Sequence, residues 1–158
     1  VAKGMPVVNE RGLAGHIFAV GTNWSKVLLI IDPSSSVAAM TQSERAPGVV
    51  SGRLGQDLQM AYIPQKDLVS VGDVVLTSGM GGRYPQGLVI GQVTEIQQRD
   101  VDAFQKATVR PSVSFRKLET VLVLAGFEPL EIESALQGEE GEQDEAPVEP
   151  VATATPLP

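Results

Sequence analysis

The hydrophobic pattern of the chain is one of short apolar runs broken by turn residues, with period-two alternation and no sustained helical period. Met5-Pro6-Val7-Val8 leads through a turn at Asn9-Glu10-Arg11-Gly12 into Leu13 to Val20. There Leu13, Ile17 and Ala19 share one face and His16, Phe18 and Val20 the other. Val27-Leu28-Leu29-Ile30-Ile31, stopped by Asp32-Pro33-Ser34, predicts a strand buried on both faces. Val37 to Thr41, Val49-Val50 and Leu58 to Ile63 continue the rhythm. In the last of these, Leu58, Met60 and Tyr62 are expected on one face and Gln59, Ala61 and Ile63 on the other. Pro64-Gln65-Lys66-Asp67 then reads as a linker between two β units, 1–64 and 65–124. The second unit offers Val74 to Ser78, Leu88 to Ile96, Phe104 to Arg110 and Leu118 to Leu124, with a helical turn or loop over Pro111 to Lys117. The pattern predicts an all-β chain of small antiparallel barrels or a sandwich.

The most informative stretch is Thr77-Ser78-Gly79-Met80-Gly81-Gly82-Arg83-Tyr84-Pro85-Gln86-Gly87, between two β-rich segments. Pro85 and Gly87 predict a type I turn over Tyr84-Pro85-Gln86-Gly87. Gly79, Gly81 and Gly82 free the backbone for positive φ or close approach. Gly91, within a strand pattern, predicts a bulge or bend. A phosphate-binding loop would need a helix immediately after it, and the Lys-Ser/Thr pair of a P-loop; this stretch runs into Tyr-Pro and another strand instead. The hairpin is expected to shape a partner-binding surface around Arg83, Tyr84 and Leu88.

Charge divides the chain. Residues 1–124 hold all 12 Lys and Arg and carry a net +2, whereas residues 125–158 hold nine acidic residues, five Pro and no base. Such a segment buries too little apolar surface to offset its ordering entropy, so a disordered acidic tail is expected over 125–158. A near-neutral body with seven aromatics lacks the basic stripe or stacking rings of a nucleic-acid reader. No apolar run reaches membrane-spanning length. Starting at Val-Ala-Lys, the sequence reads as a fragment or processed form.

No catalytic constellation emerges. With no Cys and a single His, neither thiolate chemistry nor zinc-ligand spacing is available, and no calcium-type Asp loop occurs. A chymotrypsin-like protease would force His16, Asp32 and Ser78 into a triad, although Thr77 precedes the serine and His16 lies within a strand pattern. The expectation is no enzyme, no catalytic or metal site and no cofactor.

Taken in order, Gly4-Met5-Pro6-Val7-Val8-Asn9, Gly12-Leu13-Ala14-Gly15, Val27 to Pro33, Val71 to Gly91, and Lys106 to Pro111 followed by Leu118-Glu119 resemble the bacterial rod shape-determining MreC family over about residues 4–124. The resemblance implies two small antiparallel β-barrel subdomains, 1–64 and 65–124, followed by the acidic tail. It implies an extracytoplasmic domain, held at the membrane through a transmembrane helix and coiled coil that lie outside this sequence. It also implies a non-enzymatic scaffold of cell-wall elongation, with a class B penicillin-binding transpeptidase and MreD as partners and a homodimer or filament as its assembly. An adaptor of an envelope transport complex is the competing expectation.

Overall fold

The computed structural model describes residues 1–55 and 57–127. The expected tail over 125–158 therefore lies, from residue 128 on, outside the described residues. Among the described residues ten strands form: β1 Pro6–Asn9, β2 Gly12–Val20, β3 Ser25–Leu29, β4 Ser36–Thr41, β5 Pro47–Gly52, β6 Leu58–Pro64, β7 Val74–Thr77, β8 Val89–Gln97, β9 Phe104–Pro111 and β10 Leu122–Val123. A short 3-10 turn, Phe115–Lys117, precedes β10. Every pairing is antiparallel, as short runs joined by tight turns require.

The all-β class holds, as one closed six-stranded barrel in the order β4-β5-β6-β9-β8-β7 and a second, four-stranded sheet in the order β10-β1-β2-β3. This pairing draws the division elsewhere than between residues 64 and 65. β6 pairs with β9 across that point, and Gln105 Nε2 donates to the carbonyls of Pro64 (3.1 Å) and Asp67 (2.6 Å). The segment 64–67 is a corner of the barrel wall, because turn residues punctuate a strand whether or not a unit ends there. The final strand, β10, returns to β1, with Val7 opposite Val123, so the N-terminal sheet is completed by the C-terminal end of the fold.

Two apolar clusters hold the architecture. The barrel is filled by Val37, Val50, Leu58, Met60, Ile63, Val75, Ile90, Val93 and Val109, joined by Leu13 from β2 and by Ile30. A smaller cluster of Val7, Ala14, Ile17 and Val113 lies against the four-stranded sheet, with Phe115 and Leu118 packed on it. Consecutive residues Leu13 and Ala14 thus serve different clusters, as strand alternation dictates. Each fully buried Leu or Ile contributes roughly 1.5–3 kcal/mol. The run Val27 to Ile31 is not a central strand. β3 is an edge with Val27 at the surface, and the chain leaves it before Ile30, which turns inward to plug the barrel. The run is strongly apolar because its last two residues supply the neighbouring core.

Candidate functional site

The glycine-rich loop spans residues 78–88 between β7 and β8. Thr77, fully buried at its root, clamps both ends together. Its hydroxyl donates to the Pro85 carbonyl at 2.6 Å and accepts from Leu88 N at 2.9 Å. Its backbone N donates to Leu88 O, and Gly87 N donates to its carbonyl, both at 2.9 Å. Sequence reading noticed Thr77 only as a residue unsuited to a protease, since nothing local marks a threonine as a loop clamp. Between the ends, Gly79, Gly81 and Gly82 stand at φ 75°, 76° and 61°, where a side chain would be strained. The turn itself falls on Gln86 and Gly87, with Gly87 at φ 92°. The type I turn expected over 84–87 is displaced by one residue, and a positive φ at its third position is the type II requirement. Pro85 is the first residue of that turn, its carbonyl held by Thr77. At Gly91 the β8 backbone runs so close to β9 that a Cβ would sit 2.0 Å from the Arg110 oxygen. Beside it, Ile90 is the extra residue of a bulge, Val75 pairing with Gly91 and Leu76 with Val89.

Tyr84 is not at the surface. It is 4% exposed, and its hydroxyl lies 2.8 Å from His16 Nδ1 on β2, the two rings meeting edge-on with centroids 6.0 Å apart. Burial pushes the Tyr84 phenol up to about 12, against a smaller opposing pull from the Arg83 guanidinium. Burial, and secondarily Arg83, holds His16 below its ordinary value, so at neutral pH the imidazole is uncharged and shares one hydrogen bond with the phenol through Nδ1. Leu88 is partly buried against the barrel core. Of the surface expected at Arg83, Tyr84 and Leu88, only Arg83 is exposed, because the tight turn folds its two apolar neighbours back onto the protein. A groove of ≈ 470 Å³ remains beside the loop, lined by Ser78, Met80, Tyr84, Pro85, Gln86 and Phe127.

An aromatic surface missed by sequence reading lies on β6 and β9. Between Met60 and Ile63 the β6–β9 register shifts, and Tyr62 takes φ 58°. The shift turns Ile63 into the core and Tyr62 outward, reversing the expected faces; a one-residue slip flips every side chain beyond it. Tyr62 meets Phe104 edge-on at 6.0 Å, and the two are 66% and 49% exposed. Leu68 and Val101 are also exposed on the adjoining loops. Gln65 Nε2, donating to Arg99 O at 2.8 Å, ties these loops together, and the two Gln105 bonds tie the first of them to β9. The apolar run from Leu58 to Ile63 conceals the bulge, because Tyr62 continues the alternation that the backbone interrupts.

The three residues of the forced triad are engaged separately. His16 meets Tyr84, Asp32 Oδ1 accepts from Ser34 N and Oγ, and Ser78 Oγ accepts from Met80 N. Among the described residues no group of three or more His, Asp or Glu is placed to hold a metal ion, and no helix is long and apolar enough to cross a membrane.

Comparison with known proteins gives a consistent assignment. Residues 1–125 match the family model "Rod shape-determining protein MreC, barrel core". The cell shape-determining protein MreC of Escherichia coli K12 is 31% identical over 127 residues, covering 80% of this chain and 35% of that protein. Among solved structures, MreC of Listeria monocytogenes superposes with a TM-score of 0.76 at 27% identity, covering 83% of this chain and 65% of that one. A structure described as a complex between penicillin-binding protein PBP2 and MreC from Helicobacter pylori shares the fold, with a TM-score of 0.64 at 19% identity over 75% of this chain and 74% of that one. The chain spans between 26% and 47% of the length of the curated relatives it matches. It belongs to the MreC family of rod shape-determining proteins, whose barrel core it carries.

Proposed function

We propose that this chain is the extracytoplasmic part of a non-enzymatic scaffold of the cell-wall elongation machinery, membrane-anchored in its full-length form, and that it works by presenting β surfaces to partners. The partners in this reading are a class B penicillin-binding transpeptidase, MreD and further copies of the protein itself. The separate engagement of His16, Asp32 and Ser78 supports a role without catalysis.

The observation that carries the reading is the exposed Tyr62–Phe104 pair. Two large rings face solvent on a bulge with Tyr62 at positive φ, a conformation that costs about 1–3 kcal/mol and concentrates at functional sites. Tyrosine and phenylalanine are enriched in interface cores, and burying such rings supplies much of the energy of association. Transpeptidase docking is therefore assigned to this pair and to Leu68 and Val101 beside it, with Arg83 left as a separate exposed site. The test is titration of the purified chain against the ectodomain of the source bacterium's class B transpeptidase. Tyr62→Ala combined with Phe104→Ala should weaken binding by about thirtyfold, the weight of one interface hot spot. Unchanged affinity with the fold intact overturns the assignment.

A further inference from the structure

We infer that residues 128–133, the start of the acidic segment, seat in the groove beside the glycine-rich loop, with Leu130 and Ile132 on its apolar wall and the glutamates against Arg83. The chain thereby covers this face of the barrel with its own continuation. The groove, of ≈ 470 Å³, is bounded by Met80, Tyr84 and Pro85 on the loop and by Phe127. Phe127 is partly buried there, turned back by Ala125 N donating to Val123 O at 3.0 Å and by Phe127 N donating to Leu124 O at 3.3 Å. Residue 128 therefore starts at the edge of the groove. A segment tethered so closely meets its seat at an effective concentration on the order of millimolar, so weak contacts suffice to hold it.

The two sides match in apolar pattern and in charge. On the groove, Met80 is 68% exposed, a flexible side chain of the kind that adapts to an apolar neighbour. In the segment Glu128-Pro129-Leu130-Glu131-Ile132-Glu133, two apolar residues alternate with acids. An extended backbone puts Leu130 and Ile132 on one side and Glu131 and Glu133 on the other. Arg83 stands between the lining residues Gly82 and Tyr84 and is exposed at the open side of the groove. It is the single charged residue between Asp73 and Glu95, and among the described residues no carboxylate lies within ion-pair distance of it. The segment supplies the missing sign, since residues 128–149 hold all nine acids of the C-terminal stretch and no base. An exposed ion pair contributes little by itself, so the apolar contacts and the tether are needed alongside it. Seated in this way, the segment shields the loop and Arg83 from other chains until it is displaced. The cover is independent of the transpeptidase assignment at Tyr62 and Phe104, and its test reads no partner binding.

The experiment uses the 158-residue chain alone. Amide exchange of residues 130–133, each rate divided by its intrinsic chemical rate, should be slowed about fivefold. Leu130→Asp combined with Ile132→Asp, and separately Arg83→Glu, should return these amides to their intrinsic rates. Both variants should also speed peroxide oxidation of Met80 about fivefold, with fully buried Met60 as the internal reference. Arg83→Glu joined to Glu131→Arg and Glu133→Arg should restore the wild-type values, which a role for the charges in the fold alone would not do. All these positions lie outside the ten strands, and exchange of the β4 to β9 amides verifies that each variant is folded. Intrinsic exchange rates throughout 130–133 in the wild-type chain overturn the proposal, as does protection left unchanged by either variant. Protection that rises with protein concentration would place the segment on a second copy, and that result overturns it too.

Discussion

Gly12 stands against Val89 with no room for a side chain: a Cβ at residue 12 would lie 2.2 Å from the Val89 carbonyl oxygen, and its φ of 149° is itself one that favours glycine. This is where β2 of the four-stranded sheet meets β8 of the barrel. Backbone faces backbone, so the obstruction cannot be relieved by turning a side chain. Gly12→Ala is expected to destabilise the protein by about 2 kcal/mol or more, measured by denaturant unfolding. Stability equal to wild type would show that the sheet and barrel move apart at little cost.

Thr77→Val tests the loop clamp. The shape is kept while the hydroxyl that bonds Pro85 and Leu88 is removed. Two lost hydrogen bonds, one to a partly buried amide, predict a loss of roughly 2–3 kcal/mol. Faster amide exchange at Leu88 would accompany it, and Thr77→Ser would recover most of the difference.

Stability should vary with pH at both ends of the range. The unfolded chain binds a proton at His16 near pH 6.5 that the folded chain resists, so stability falls as pH drops below about 6.5. For Tyr84 the sign is opposite in pH. Its folded value is raised from 10.0 to about 12, so the unfolded chain loses that proton first, and roughly 2 kcal/mol of stability disappears between about pH 10 and pH 12. Tyr84→Phe should abolish the alkaline limb specific to this residue. Denaturant midpoints measured across pH for wild type and variant check both limbs.

Tyr62 separates stability from recognition. Replacing it with glycine relieves a positive φ but loses the ring contact with Phe104, worth about 0.5–1.5 kcal/mol. The opposing effects predict a stability within about 1 kcal/mol of wild type, together with weakened transpeptidase binding. A large loss of stability would mean that the ring serves the fold rather than a partner.

The strands and the all-β class were legible because alternation and turn residues act locally. Val74 to Ser78 and Phe104 to Arg110 fall almost where the backbone places β7 and β9. What stayed hidden depends on long-range placement. Nothing near Val27 announces an edge strand, and nothing near Pro64 distinguishes a barrel corner from a linker. Tyr84 looks like a turn residue bound for solvent until β2 brings His16 beneath it. Tyr62 reads as sharing a face with Leu58 and Met60 until a bulge, which leaves no mark in the alternation of apolar residues, turns it out.

The return of β10 to β1 has a mechanical corollary. Leu124 N bonds to Pro6 O, so the two ends of the fold lie alongside each other at one margin of the sheet. Tension applied through residue 3 and residue 127 would reach the two-residue β10 before any strand of the barrel, peeling its bonds apart one after another. The closed barrel sits off the line of load, and a molecule pulled from both ends would lengthen by shedding this margin while its aromatic surface kept its shape.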